Sequence, residues 1–154
     1  MLITTLIGFL ILGHNPQIAL FELRTVENYL QLQIRLESDD LKSLWNKNSD
    51  VPDLEIALID YIQKNTEWYL NEEHYEICNY RVQLVKGHYL LTGNIYNPPN
   101  RIEKIRHYNT ILVKEIQNHK NIIHILLHDR LRSFKMDQER KHILAKYTFP
   151  ASLN

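Results

Sequence analysis

Residues 30–37 read LQLQIRLE, and this stretch decides the fold. Its leucine and isoleucine side chains alternate with Gln, Arg and Glu, so a β-strand here buries one face and exposes the other to water. Ala19, Phe21 and Leu23 alternate in the same way just before it, with residues 25–28 (TVEN) as the connection. The two runs therefore predict a β-hairpin that packs one face on a core.

The rest of the chain predicts more short strands, separated by turn signals such as Lys86-Gly87 and Asp129-Arg130. Residues 53–65 differ, because apolar residues recur there at the 3.6-residue spacing of an amphipathic helix. We expect this helix to share the core of the first hairpin, and we expect short helical turns after Ser38 and over residues 110–117. The pattern predicts a mainly β fold, a β-sandwich of about seven or eight strands with one inserted helix.

Composition limits the classes of function. A chain of 154 residues suits one domain, and its 18 basic residues balance 18 acidic ones. A chain without excess positive charge has no general attraction for nucleic acid, so we expect no nucleic-acid partner. Cys78 is the single cysteine, which excludes an internal disulfide.

Residues 1–21 contain no Asp, Glu, Lys or Arg, and residues 2–12 form the apolar part of this stretch. As a helix that part spans about 16 Å, roughly half of the hydrocarbon core of a bilayer, which is typical of a signal peptide rather than a membrane anchor. We expect cleavage after Gly13, a single domain over residues 14–149, a tail over residues 150–154, and a periplasmic or secreted protein. The alternative is that the apolar run belongs to the core of a cytosolic protein.

Three local strings occur in an order that carries a resemblance. They are His14-Asn15-Pro16, residues 33–41 (QIRLESDDL), and residues 109–112 (NTIL) followed by residues 121–125 (NIIHI). This layout resembles small exported bacterial domains of unknown function, and it is similar to the extracytoplasmic N-terminal domain of the HupE/UreJ permease family, which is linked to nickel. Such domains commonly carry Gln where this chain has His119. The resemblance implies a fold and a location, not a transport activity.

His14 is the first candidate metal ligand, because cleavage after Gly13 would make it the first residue of the mature protein. An α-amine and an imidazole on one residue supply two nitrogen donors, which suit Cu or Ni. A second histidine would complete the nitrogen set. The alternative is an N-terminal histidine that is simply solvated.

His124 and His128 are further candidate metal ligands, four residues apart in a predicted strand that would place both on one face. His74, Glu76 and Cys78 share one face in the same way if residues 74–85 form one long strand. In both cases the alternative is structural: a histidine satisfied by the backbone, or an ordinary edge strand.

The sequence contains no Gly-x-Ser-x-Gly motif and no glycine-rich phosphate loop. We therefore expect an exported binding or accessory module without catalytic residues, whose partner is an unknown protein or a metal. Two alternatives remain open: a periplasmic copper- or nickel-handling protein that uses His14, and a cytosolic hydrolase.

Overall fold

A computed structural model describes residues 17–42 and 51–148, and within these ranges the chain forms ten strands and two helices. The mainly β fold is confirmed, with more strands than the seven or eight expected. In chain order the elements are β1 (Ile18–Val26), β2 (Tyr29–Glu37), α1 (Ser38–Lys42), α2 (Val51–Asn65), β3 (Thr66–Leu70), β4 (Glu73–Tyr75), β5 (Cys78–Val85), β6 (His88–Ile95), β7 (Lys104–Asn109), β8 (Lys120–Leu127), β9 (Arg130–Met136) and β10 (His142–Lys146).

The strands form two sheets. The larger sheet has the order β5-β6-β2-β1-β8-β9, and the smaller has the order β10-β7-β3-β4. β1 and β8 run parallel, while all other pairs described are antiparallel. Phe21 of the larger sheet lies 6.3 Å from His107 of the smaller one, measured between ring centroids, so the two sheets face each other across the core.

The core includes the alternating residues predicted for the first hairpin. Ala19, Phe21 and Leu23 are fully buried, as are the four apolar residues of residues 30–37. Alternation places every second side chain on the inner face, so one hydrophobic cluster forms between the sheets.

Helix α2 is the predicted inserted helix and adds Leu58 and Ile62 to this core, both fully buried, while Leu54 is half-buried. At the end of the helix, side chains donate hydrogen bonds to backbone carbonyl oxygens of the last turn. Asn65 Nδ2 donates to Tyr61 O at 2.8 Å, and Thr66 Oγ1 donates to Ile62 O at 2.9 Å. The short turn expected after Ser38 is also found, as α1.

Residues 74–85 do not form one strand. The chain leaves the smaller sheet after Tyr75 and enters the larger one at Cys78, so His74 and Cys78 belong to different sheets. Asn79 adopts a φ of 53°, and the pairing of β5 with β6 shifts register between Cys78 and Arg81. The shift is a β-bulge within β5. The prediction of one long strand is wrong because the chain crosses between the sheets at residues 76–77, before this bulge.

The helical segment expected over residues 110–117 is a series of turns instead. Leu112 has a φ of 59°, which a helix does not accommodate. Ile111, Leu112 and Val113 are all fully buried, and three consecutive buried residues do not fit a helix with one apolar face. The last strand covers residues 142–146 rather than the expected residues 143–149, and Phe149 lies outside the described residues.

Candidate functional site

The structure does not bring the described candidate metal ligands together into one site. His14 lies outside the described residues. His124 is half-buried on the outer face of β8, where its Nδ1 lies 2.8 Å from Ser133 Oγ, so its partner is a side chain rather than the backbone. His128 is not on the strand at all: it and Asp129 form the β8–β9 turn with φ values of 51° and 56°. The two histidines therefore do not share a strand face.

The second predicted set is divided as well. His74 and Glu76 line one cavity, whereas Cys78 is an exposed residue at the start of β5. Within residues 17–42 and 51–148, no group of three or more His, Cys, Asp or Glu side chains is arranged to hold a metal ion.

Strand topology brings three loops to one end of the sandwich. Because β1 and β8 are parallel, with Arg24 paired to Leu126, the turns that follow them lie side by side. β6 is antiparallel to β2, and the pairing of Leu30 with Ile95 brings the loop after β6 to the same end. Loops that cluster at one end of a sandwich are a common place for binding residues.

These loops enclose a cleft of about 630 Å³, which we call the loop-end cleft. Buried Leu30 and Ile102 form its apolar floor, and the loops supply a mostly polar rim. The remaining lining residues are Arg24, Thr25, Glu27, Asn28, Tyr29, Pro98, Pro99, Asn100, Leu126, His128 and Asp129. A volume of this size suits a small ligand.

The charges of the cleft are mixed. Arg24 is partly held by its neighbours on the outer face of the sheet, since it donates to Gln31 Oε1 at 2.9 Å and lies 3.8 Å from Glu22 Oε1. Glu27 and Asp129 carry the opposite charge in the same cleft. A lining with both signs of charge favours an uncharged polar ligand over an anion or a cation.

Tyr29 provides the aromatic surface of the cleft. It is half-buried, and its ring centroid lies 6.0 Å from that of Tyr96, whose hydroxyl accepts hydrogen bonds from Asn79 and Asn94. The hydrogen bonds hold Tyr96, and the Tyr29 ring lies against it at the edge of the cleft. An aromatic face next to hydrogen-bonding side chains suits a ligand with both apolar and polar groups.

Of the residues in this cleft, the sequence indicates only His128 as a candidate ligand, and it places His128 in a strand. Residues 25–28 are predicted only as a hairpin connection, and Leu30 only as a core residue. The sequence signal that could have indicated the cleft is Asn97-Pro98-Pro99-Asn100, which directly follows Tyr96.

A histidine and a carboxylate also meet inside the protein. His119 Nδ1 lies 3.9 Å from Asp40 Oδ2, and both side chains are buried. Burial lowers the pKa of His119 although Asp40 acts in the opposite direction. Asp40 also accepts a hydrogen bond from the backbone N–H of Gln17 at 3.0 Å, which fixes the start of β1. Both side chains of this pair therefore lie inside the fold.

No protein-family model matches the chain, and no curated protein matches it either. The resemblance to the HupE/UreJ permease family therefore stays a prediction. Within the described ranges, none of the helices has the length and apolar character needed to span a membrane.

Proposed function

We propose that this protein is an exported, non-catalytic binding or accessory module that holds its ligand in the loop-end cleft. The observation that carries the proposal is the convergence of three loops over an apolar floor, with the half-buried Tyr29 and mixed polar groups around it. The lining suits an uncharged ligand that has an apolar face and several hydroxyl groups, such as a saccharide.

Two of the eight histidines are not placed to act as general bases. His119 is fully enclosed beside Asp40. His88 has Glu37 Oε2 at 2.9 Å from Nδ1 and an Arg35 guanidinium nitrogen at 2.6 Å from Nε2. A general base needs a ring nitrogen that can reach the substrate, and these contacts occupy or enclose both rings.

Export is proposed from the uncharged apolar segment of residues 1–13, whose length is typical of a signal peptide. Cleavage after Gly13 would leave every described strand intact, since β1 starts at Ile18. Mass spectrometry of the protein recovered from the producing cell should show an N-terminus near His14. Intact Met1 in a soluble cytosolic fraction would contradict export.

Ligand binding can be tested by titrating the ¹⁵N-labelled protein with a panel of uncharged mono- and disaccharides. We expect backbone signals of Asn28, Asn100 and Asp129 to shift. Tyr29→Ala should weaken binding about tenfold or more, because it removes the stacking surface. Tyr69→Ala is the matched control, since Tyr69 is also half-buried but lies on the smaller sheet and outside the cleft. Shifts confined to other surfaces, or equal effects of the two variants, would contradict the assignment.

A further inference from the structure

The two sheets end in four edge strands. The larger sheet ends in β5 and β9, and the smaller sheet ends in β10 and β4. An edge strand carries a row of backbone N–H and C=O groups that can pair with another strand, unless short length, charged side chains or a covering element prevents it. Within residues 17–42 and 51–148, such features are present at three of the four edges and are missing at β5.

The other three edges are blocked in two ways. β4 has only three residues, Glu73–Tyr75, so it offers too short a row for stable pairing. β9 and β10 contact each other at one side of the sandwich. There Arg130 donates to the carbonyl oxygen of Thr148 at 3.2 Å, and Arg132 donates to that of Lys146 at 2.5 Å. These contacts place charged side chains across both edges.

β5 instead presents an exposed apolar edge. Residues 82–85 read VQLV and contain no charged side chain. Leu84 is 62% exposed and Val85 is 44% exposed. β6 is the only described strand that pairs with β5, and the β-bulge leaves residues 81–85 as the regular part of this edge. A regular, uncharged edge of this kind favours pairing with another strand.

The turn between β5 and β6 shows which backbone groups are available. Lys86 and Gly87 have φ values of 49° and 82°, as in a two-residue type I′ hairpin, so Val85 and His88 beside the turn form a hydrogen-bonded pair. Hydrogen-bonded pairs alternate along an antiparallel ladder. Gln83 therefore also bonds to β6, while the N–H and C=O groups of Val82 and Leu84 point away from it.

These outward groups fit a second copy of the same strand. If two β5 strands pair antiparallel about Gln83, Val82 of each copy lies opposite Leu84 of the other, on the same face of the joined sheet. Two apolar cross-strand pairs then form, and the outward groups of both residues bond to each other. Arg81 lies opposite Val85, so no two like charges face each other directly. The formal net charge of the chain is zero, so the copies do not repel each other in general.

We propose that the β5 edge is an interface between two copies of this chain, which pair antiparallel through Val82 and Leu84 and join their larger sheets into one continuous sheet. β5 contributes none of the residues that line the loop-end cleft, so both clefts stay open in the dimer. The proposal therefore does not depend on the function proposed for the cleft.

The dimer can be tested by sedimentation equilibrium of the full chain over a range of concentrations, where we expect a reversible monomer–dimer equilibrium. Leu84→Lys should raise the dissociation constant about tenfold or more, because it places a charge on the edge and removes an apolar pair. Leu131→Lys is the matched control, since Leu131 is 59% exposed on β9, the opposite edge strand of the same sheet. It should leave the dissociation constant unchanged.

Amide hydrogen exchange measured by NMR distinguishes strand pairing from a general apolar contact. Raising the concentration should slow exchange at Val82 and Leu84 about tenfold or more and leave Gln83 unchanged, because its amide already bonds to β6. A chain that stays monomeric would contradict the proposal and assign the edge to a different partner. Equal weakening by the two lysine variants, or Val82 and Leu84 amides that exchange slowly even in dilute monomer, would also overturn it.

Discussion

His107 is a neutral histidine in the middle of the core. Its ring stacks on Trp68 with 3.6 Å between centroids, and its Nδ1 lies 2.9 Å from the carbonyl oxygen of Glu67. A carbonyl can only accept, so Nδ1 carries the proton and donates it. The side chain is fully buried, and burial lowers the pKa of His107 to about 3. The position therefore requires an uncharged imidazole.

This burial predicts that acid destabilises the protein through His107. Between about pH 3 and pH 6.5 the unfolded chain binds a proton at this residue that the folded chain does not, so the free energy of unfolding decreases as the pH falls. The slope from one such group is at most about 1.4 kcal/mol per pH unit. His107→Gln, which cannot titrate, should reduce the slope measured by urea unfolding at several pH values.

His142→Gln is the control for this measurement, since His142 is exposed on the adjacent strand β10, paired with Tyr108. It should leave the pH dependence as it is in the unchanged protein. If His107→Gln gives the same slope as His142→Gln, His107 does not cause the acid sensitivity.

At the scale of elements, β2 is the strand on which the larger sheet depends. It pairs with β1 on one side and with β6 on the other, and its inner face is fully buried. Leu32→Ala should lower the free energy of unfolding by about 2–5 kcal/mol, because it opens a cavity in the core. Gln33→Ala changes the opposite face of the same strand and should cost less than about 1 kcal/mol. Similar unfolding midpoints for the two variants in urea would show that β2 does not form the core.

The elements that the sequence predicts well are those in which the apolar residues recur at a regular spacing without interruption. The alternation of residues 30–37 predicts β2, and the helical spacing of residues 53–65 predicts α2, which the structure extends to Val51–Asn65. The prediction of one strand over residues 74–85 is wrong because the alternating pattern continues while the chain crosses between sheets. The local sequence does not indicate which sheet a strand joins. The sequence does not show that β7 packs on the core, because two of its three inward-facing residues, His107 and Asn109, are polar.

The loop-end cleft and the β-bulge show the same limit. The cleft exists because β1 and β8, about a hundred residues apart in sequence, pair in parallel. The bulge lies opposite Gly93, and a glycine within a strand does not by itself show which side chains pack against it. The sequence contains the individual residues, but the order and direction of the strands decide which of them lie together.

At the scale of the whole molecule, direct contacts connect the β-bulge of β5 with the loop-end cleft. Asn79 of the bulge donates to the Tyr96 hydroxyl at 2.8 Å, and the Tyr96 ring lies beside Tyr29 of the cleft, 6.0 Å away between ring centroids. The place where the chain enters the larger sheet is thus joined to the cleft by side chains on the outer face of that sheet.

The last prediction concerns His14, which lies outside the described residues. If the mature protein begins there, it should bind Cu(II) at one site through its α-amine and imidazole, because two nitrogen donors on one residue need little further ordering. A form that keeps Met1 should not bind at this site, and His14→Ala in the mature form should remove it. Affinity should weaken as the pH falls, since both nitrogens must lose protons before they ligate. Electron paramagnetic resonance during copper titration distinguishes the cases: equal, weak, multi-site binding by both forms, reduced instead by substitution of His74, His124 or His128, would exclude an N-terminal copper site.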